Sequence, residues 1–145
     1  LADEPQRTAL EIRRRELGED HADTLTSVHA LGALLQAQGD FAQAEPHLSE
    51  ALEGFRRTLG NEHSSTLTAL GSMGYLRRAQ FRFAEAEACY REALRLNPNY
   101  ADAHFYLAVT FEKMGLSDDA RPHWRAYQRL APHGEWVELA REFSD

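Results

Sequence analysis

Apolar side chains recur at offsets of three, four and seven along most of this chain, and the same stripe is written three times. Val28, Leu31 and Leu35 carry it first, with Gly32 beside Leu31; Leu70 and Met73 carry it next, with Gly74; Leu107 and Phe111 carry it last, with Ala108. Such offsets place side chains on one face of an α-helix. A stripe of a second kind follows each of these: Ala44, Leu48 and Ala51, then Ala86, Tyr90 and Ala93, then Ala120, Trp124 and Tyr127. Between stripes stand Gly39-Asp40 and Gly115-Leu116-Ser117. Glycine takes the left-handed stop of one helix, and Asp or Ser caps the next. Each unit is therefore expected to be a helix, a tight turn and an antiparallel helix, with Gly32, Gly74 and Ala108 small where two helices would collide.

The units also repeat as strings. Leu17-Gly18-Glu19-Asp20-His21 returns forty-two residues on as Leu59-Gly60-Asn61-Glu62-His63, and Thr24-Leu25-Thr26 as Thr66-Leu67-Thr68. From Ala86 to Ala120 the period shortens to thirty-four. A fixed period marks stacked repeats that bury their apolar faces on one another. The eight extra residues are expected in the second helix, where 53–59 adds about two turns at roughly 3.6 residues each. Residues 11–17 have the same form. Residues 3–17 are then the second helix of a repeat whose first helix is absent, and 1–20 a truncated unit. Repeats follow over 21–62, 63–99 and 100–132, with a capping helix over 133–145 that turns Trp136, Leu139, Ala140 and Phe143 one way. The expectation is one domain over 1–145, of about eight antiparallel helices.

Some positions resist this pattern. Pro46 and Pro122 fall inside second helices, where proline removes a backbone donor and favours a kink. Phe81 holds the turn slot of Gly39 and Gly115. A bulky residue adopts the left-handed conformation only at a cost, so a different turn is expected there. Gly54 weakens its helix by about 1 kcal/mol relative to alanine.

The small residues Gly32, Gly74 and Ala108, the alanines Ala44, Ala86 and Ala120, and the closing prolines Pro98 and Pro132 resemble the tetratricopeptide repeat. The longer period with Leu-Gly-x-x-His is similar to the repeats of kinesin light chain and of many bacterial signalling proteins. The resemblance implies an all-α fold, a right-handed α-α superhelix, and a non-catalytic scaffold binding a peptide or partner domain. In such a stack the first helix of each pair lines a concave groove.

The stripe beside the core is Thr26, His29, Ala33 and Gln36, then Thr68, Gly71, Tyr75 and Arg78, then Asp102, Phe105, Val109 and Glu112, with Lys113 at the edge. His29, Gln36, Tyr75, Arg78, Asp102, Phe105, Val109 and Glu112 are therefore the candidate peptide-binding residues. Tyr75, Phe105 and Val109 with a charged rim have the composition of a docking surface. An exposed Phe105 would need cover, from a peptide, from the C-terminal helix or from another chain. Family members that clamp the terminal carboxylate of chaperone tails use lysine and asparagine on these stripes. His29 and Ala33 stand there instead, so that activity is not expected. The kinesin-light-chain type carries asparagines after the first leucine of the helix, where this chain has His29-Ala30 and Gly71-Ser72.

Composition narrows the partners. The 145 residues carry a net charge of −7, with 43% hydrophobic and 27% charged residues. That is enough apolar mass for a core, and the sign disfavours nucleic acid or an anionic membrane. The expected partner is a protein or peptide. No apolar run approaches the roughly 20 residues of a membrane span. The one cysteine, Cys89, fits a reducing, cytoplasmic setting. Lys113 is the sole lysine against fifteen arginines, a bias of GC-rich, bacterial genomes. A chain that opens inside a repeat is expected to be part of a longer protein. The competing role is self-assembly, a homo-oligomer formed through the severed N-terminal repeat if it exposes Leu10 and its neighbours.

Catalytic chemistry finds little support. No nucleophile elbow, phosphate loop or dinucleotide fingerprint is present. His21 and His63 are repeat-related and are expected to bond at helix starts. His47 and His123 lack metal-ligand spacing, His104 replaces an apolar core residue, and His133 opens the cap helix. Cys89 reads as a packing thiol. Arg13-Arg14-Arg15, Arg56-Arg57 and Arg77-Arg78 lie among glutamates at helical ion-pair spacing. No enzyme activity, metal or cofactor is expected.

Overall fold

The computed structural model describes residues 4–145. Residues 1–3, including the expected first residue of the opening helix, lie outside them. Eight helices follow in order: α1 (Glu4–Leu17), α2 (Ala22–Ala37), α3 (Phe41–Leu59), α4 (Ser64–Ala79), α5 (Phe83–Leu96), α6 (Ala101–Lys113), α7 (Ser117–Leu130) and α8 (Val137–Phe143). There is no strand among the described residues. The chain divides into two compact units, Leu1–Leu76 and Arg77–Asp145, with the boundary inside α4.

In the first unit, α2 and α3 form a helical hairpin and α1 lies on α2. The apolar stripe Val28, Leu31 and Leu35 is buried, as are Ala44, Leu48 and Ala51 opposite. The turn between them is a Schellman stop: Gly39, at φ +80°, donates to Gln36 O at 3.0 Å, and Asp40 donates to Leu35 O at 2.9 Å. The Asp40 carboxylate then accepts from Gln43 N at 3.2 Å and caps α3.

Two glycines set the approach of this pair. A Cβ on Gly32 would lie 2.8 Å from Leu48 Cδ2 and 3.2 Å from the Leu48 backbone nitrogen. A Cβ on Gly54 would collide with the methyl groups of Leu25. Gly54 is therefore more than a weak point in a helix; its missing side chain is the space that Leu25 fills. Pro46 sits inside α3 and Pro122 inside α7, and each helix continues through its proline.

The extra length is shared differently from expectation. α3 has 19 residues against 14 in α7, while α2 has 16 against 13 in α6. Three of the eight extra residues thus belong to the first helix of the pair, which begins early because His21 caps it.

The second unit packs Ala86, Tyr90, Leu107, Ala108, Phe111, Ala120, Trp124 and Tyr127 into one cluster, closed by Val137 and Ala140 of α8. Its turns correct two expectations. Phe81 adopts φ +62° and makes the same stop as Gly39: it donates to Arg78 O at 2.9 Å, and Arg82 donates to Arg77 O at 2.8 Å. The two hydrogen bonds of the stop hold a phenylalanine in a glycine conformation. Ser117 is the first residue of α7, not its cap, and its hydroxyl donates to Glu112 Oε2 at 2.9 Å.

The last helix is shorter and differently turned than expected. Gly134 lies against the Tyr127 hydroxyl, and that hydroxyl accepts from Trp136 N at 3.3 Å. The chain is thereby held in turns until Val137. α8 buries Val137 and Ala140, with Ser144 beyond its end, whereas Leu139 and Phe143 are 38% and 42% exposed.

Candidate functional site

The starts of α2 and α4 carry the same histidine cap. His21 Nδ1 accepts from Asp23 N at 3.1 Å, and His63 Nδ1 accepts from Ser65 N at 3.0 Å. An imidazole nitrogen thus satisfies a first-turn donor that would otherwise be left to water. Behind the caps, buried Thr24 donates to Arg13 O at 3.3 Å and buried Thr66 to Gly60 O at 2.7 Å. These bonds fix where the outer stripe of each helix begins.

On that stripe, His29 Nε2 lies 2.8 Å from Ser72 Oγ, tying α2 to α4. The repeat counterpart of His29 is Gly71, which has no side chain, and the imidazole reaches the next residue. Burial lowers the pKa of His29, so the ring is neutral at pH 7. Beside it opens a cavity of about 190 Å³ lined by Thr26, His29, Phe55, Ser64, Ser65 and Thr68. Tyr75, two helical turns beyond Thr68, is 42% exposed. Gln36 is half-buried near the end of α2. Of the stripe residues, Thr26, His29 and Thr68 line this cavity, and Tyr75 is exposed outside it. Phe55, Ser64 and Ser65 join them from outside the stripe, and Ser72 meets His29. Ser72 was within reach of a register argument, being one residue past the repeat equivalent of His29.

In the second unit the expected groove residues are largely engaged by the fold itself. Phe105 is 7% exposed. The Trp136 ring stacks on it at 4.1 Å and 13°, and Trp124 and Tyr127 flank it at 5.6 and 5.7 Å. The cover comes from the C-terminal segment. Val109 is half-buried against the same cluster. Glu112 Oε1 accepts from Trp124 Nε1 at 3.2 Å while its other oxygen holds Ser117. Arg78 is half-buried beside Tyr90, whose phenol burial pushes up in pKa and the Arg78 charge pulls back. Asp102 is exposed in the first turn of α6.

The edge invoked for self-assembly is also altered. Leu10 is 3% exposed, because α1 turns it inward; Ile12 and Leu17 are the exposed apolar residues of that helix. No group of three or more His, Cys, Asp or Glu able to hold a metal occurs among the described residues. No described helix is long and apolar enough to cross a membrane.

Comparison with known proteins accords with this architecture. A tetratricopeptide-repeat profile matches residues 4–54 and 26–99, and a second of the same description matches 72–135. No curated protein matches. Among solved structures, BtubC (BKLC) from P. vanneervenii is 19% identical with a TM-score of 0.81, over 88% of this chain and 54% of that one. The chain thus spans about half the length of BtubC. A kinesin light chain structure from P. anserina, with nearly identical TPR-like repeats, is 17% identical, with a TM-score of 0.74, over 95% of this chain and 80% of that one. A chain of the APC/C hetero-tetramer Cut9–Hcn1 is 18% identical with a TM-score of 0.77, over 95% of this chain and 25% of that one. These likenesses are of fold. Tetratricopeptide repeats generally mediate protein–protein interactions. With its profile matches running from α1 through α7 and its repeat alanines sealed in the core, this chain belongs to the tetratricopeptide-repeat family.

Proposed function

We propose that the chain is a non-catalytic adaptor that captures an extended peptide segment along the outer stripe of α2 and α4 in its first unit. One observation carries the reading. Thr26, His29 and Thr68, from helices a full repeat apart, surround a single cavity, and Tyr75 stands exposed on the same face of α4. The lining is hydroxyl-rich, and its one titratable ring is held neutral by burial. Such a surface suits the uncharged amide groups of a peptide backbone, with Tyr75 supplying the large, rigid ring that dominates docking energies.

Selection of a random displayed-peptide library against the chain, followed by fluorescence polarisation with the enriched peptides, tests this. Tyr75→Ala and Thr68→Arg are each expected to weaken binding by about tenfold or more, the loss of one anchoring contact. Phe81→Ser, on the other unit, leaves it unchanged. Binding by the Tyr75 and Thr68 variants as tight as by the unsubstituted chain, or failure to enrich any peptide, overturns the assignment.

A further inference from the structure

The second unit holds a larger cavity, of about 310 Å³, that peptide capture on α2 and α4 does not use. Leu94, Pro98 and Leu107 make its floor apolar. Arg91 and Arg95 of α5, His104 of α6 and His123 of α7 bring polar groups to its wall. A mainly apolar cleft, open on one side and with a few convergent polar groups, is a general form of small-molecule site.

The hydrogen bonds fix the state of both rings. His104 Nε2 lies 2.9 Å from Pro98 O, which can only accept, so Nε2 carries the proton. His104 Nδ1 is then bare and accepts from His123 Nδ1, 3.0 Å away. The Nε2 of a neutral His123 is left without a proton. Burial lowers the pKa of both rings, and the nearby His104 and Arg91 take His123 down to about 4.

The surrounding charges are cationic in balance, although the whole chain carries −7. On α5, Arg91 rests over the Phe111 ring at 5.4 Å and its Nε is 3.4 Å from Glu87. Arg95 is exposed and has no carboxylate partner among the described residues. From α7, Arg129 acts on His104, and Asp119 acts on His123 in the opposite sense.

We propose that this cavity binds a small apolar carboxylic acid as its anion. Its hydrocarbon lies on Leu94, Pro98 and Leu107, and its carboxylate lies between Arg91, Arg95 and His123. The bare Nε2 of a neutral His123 would repel the anion, so His123 takes up one proton from solvent on binding. The resulting Nε2–H becomes a charge-assisted donor. Binding and protonation of His123 are therefore linked.

The probe is 3-phenylpropanoate, with neutral 3-phenylpropanamide as its control, titrated into the 145-residue chain and followed by amide and histidine-ring NMR at pH 7.5 and 6.0. Ordinary carboxyl groups titrate near pH 4, so the acid stays ionised across this range. The acid is expected to shift Leu94 and Leu107, to raise the His123 pKa, and to bind about tenfold tighter at pH 6.0 than at 7.5, with the amide at least tenfold weaker. Arg95→Ala, on an exposed side chain, should cost about tenfold in affinity. His123→Asn keeps a donor toward His104 and should flatten the pH dependence. Equal binding of acid and amide, indifference to Arg95→Ala, or shifts confined to α2 and α4 overturns the proposal, whatever the fate of peptide capture.

Discussion

Phe105 and Trp136 stack face to face, ring centroids 4.1 Å apart and planes 13° from parallel. One ring comes from the middle of a repeat helix, the other from the cap position of α8. Without Trp136, Phe105 would be the large aromatic on the outer stripe of α6 that the sequence pattern suggests. With it, Phe105 is covered, and of the residues on that stripe of α6 only Asp102 remains fully exposed. The C-terminal segment thus closes the outer stripe of α6 as well as the core.

Removing that cover has a measurable cost. Trp136→Ala is expected to destabilise the fold by about 2–3 kcal/mol, below the full price of a buried tryptophan because the ring is half-buried. Urea unfolding measures the loss, and binding of an apolar dye should rise as Phe105 is uncovered. A change within a few tenths of a kcal/mol would mean that the stack contributes little.

Gly54→Ala tests the close crossing of α2 and α3. Helix propensity alone favours alanine by about 1 kcal/mol. The new methyl would meet the Leu25 side chain, and overpacking of a buried contact typically costs about 1–3 kcal/mol. The expected net effect is destabilising, and smaller when Leu25→Ala is introduced first. Chemical denaturation of the four members of that double-mutant cycle gives the coupling directly. A stabilised Gly54→Ala would show that Leu25 moves aside freely.

Much of the fold was legible because helical burial follows a period. Ala44, Ala86 and Ala120 align by counting and are all fully buried, each followed four residues later by a buried Leu48, Tyr90 or Trp124. The roles of His21 and His63 were legible for the same reason, since a repeated helix start repeats its cap. Phe105 was not. A stripe adjacent to the core says which way a side chain points, but not which distant residue will land on it. Trp136 arrives from a loop whose path depends on Gly134 and the Tyr127 hydroxyl. The arginine partners escaped for a similar reason. Local spacing suggested pairs along one helix, yet Arg14 reaches Glu50 at 2.9 Å on α3, and Arg57 reaches Asp20 at 2.5 Å.

Phe81 offers a test of backbone strain. Its φ of +62° suits glycine, and its side chain is 81% exposed, so little burial offsets the strain. The ring does make an edge contact with Phe83, at 6.1 Å between centroids. Phe81→Gly should relieve about 1 kcal/mol of conformational strain and lose part of that to the missing contact and to the entropy of a freer unfolded chain. A small rise in Tm is expected, with Phe81→Ala showing none, because alanine keeps the Cβ. If the alanine variant gains as much as the glycine variant, the exposed ring itself is the liability.

Acid should weaken this fold well before its carboxylates are protonated. His29, His47, His104 and His123 all have pKa values lowered chiefly by burial, His123 to about 4. Unfolded histidine titrates near 6.5, so between about pH 6.5 and 4 the unfolded chain holds more protons than the folded one. Stability is then full above that window and falls as pH is lowered through it. His123 is only partly buried, which reduces its share to about 1 kcal/mol once solvent screening is allowed for. Melting temperatures at half-unit steps from pH 7.5 to 4.5 should decline, with a shallower decline in His123→Asn, which has no ring to protonate. Identical slopes for the two proteins would place the acid sensitivity elsewhere, with His29 and His47 of the first unit as the next variants to compare.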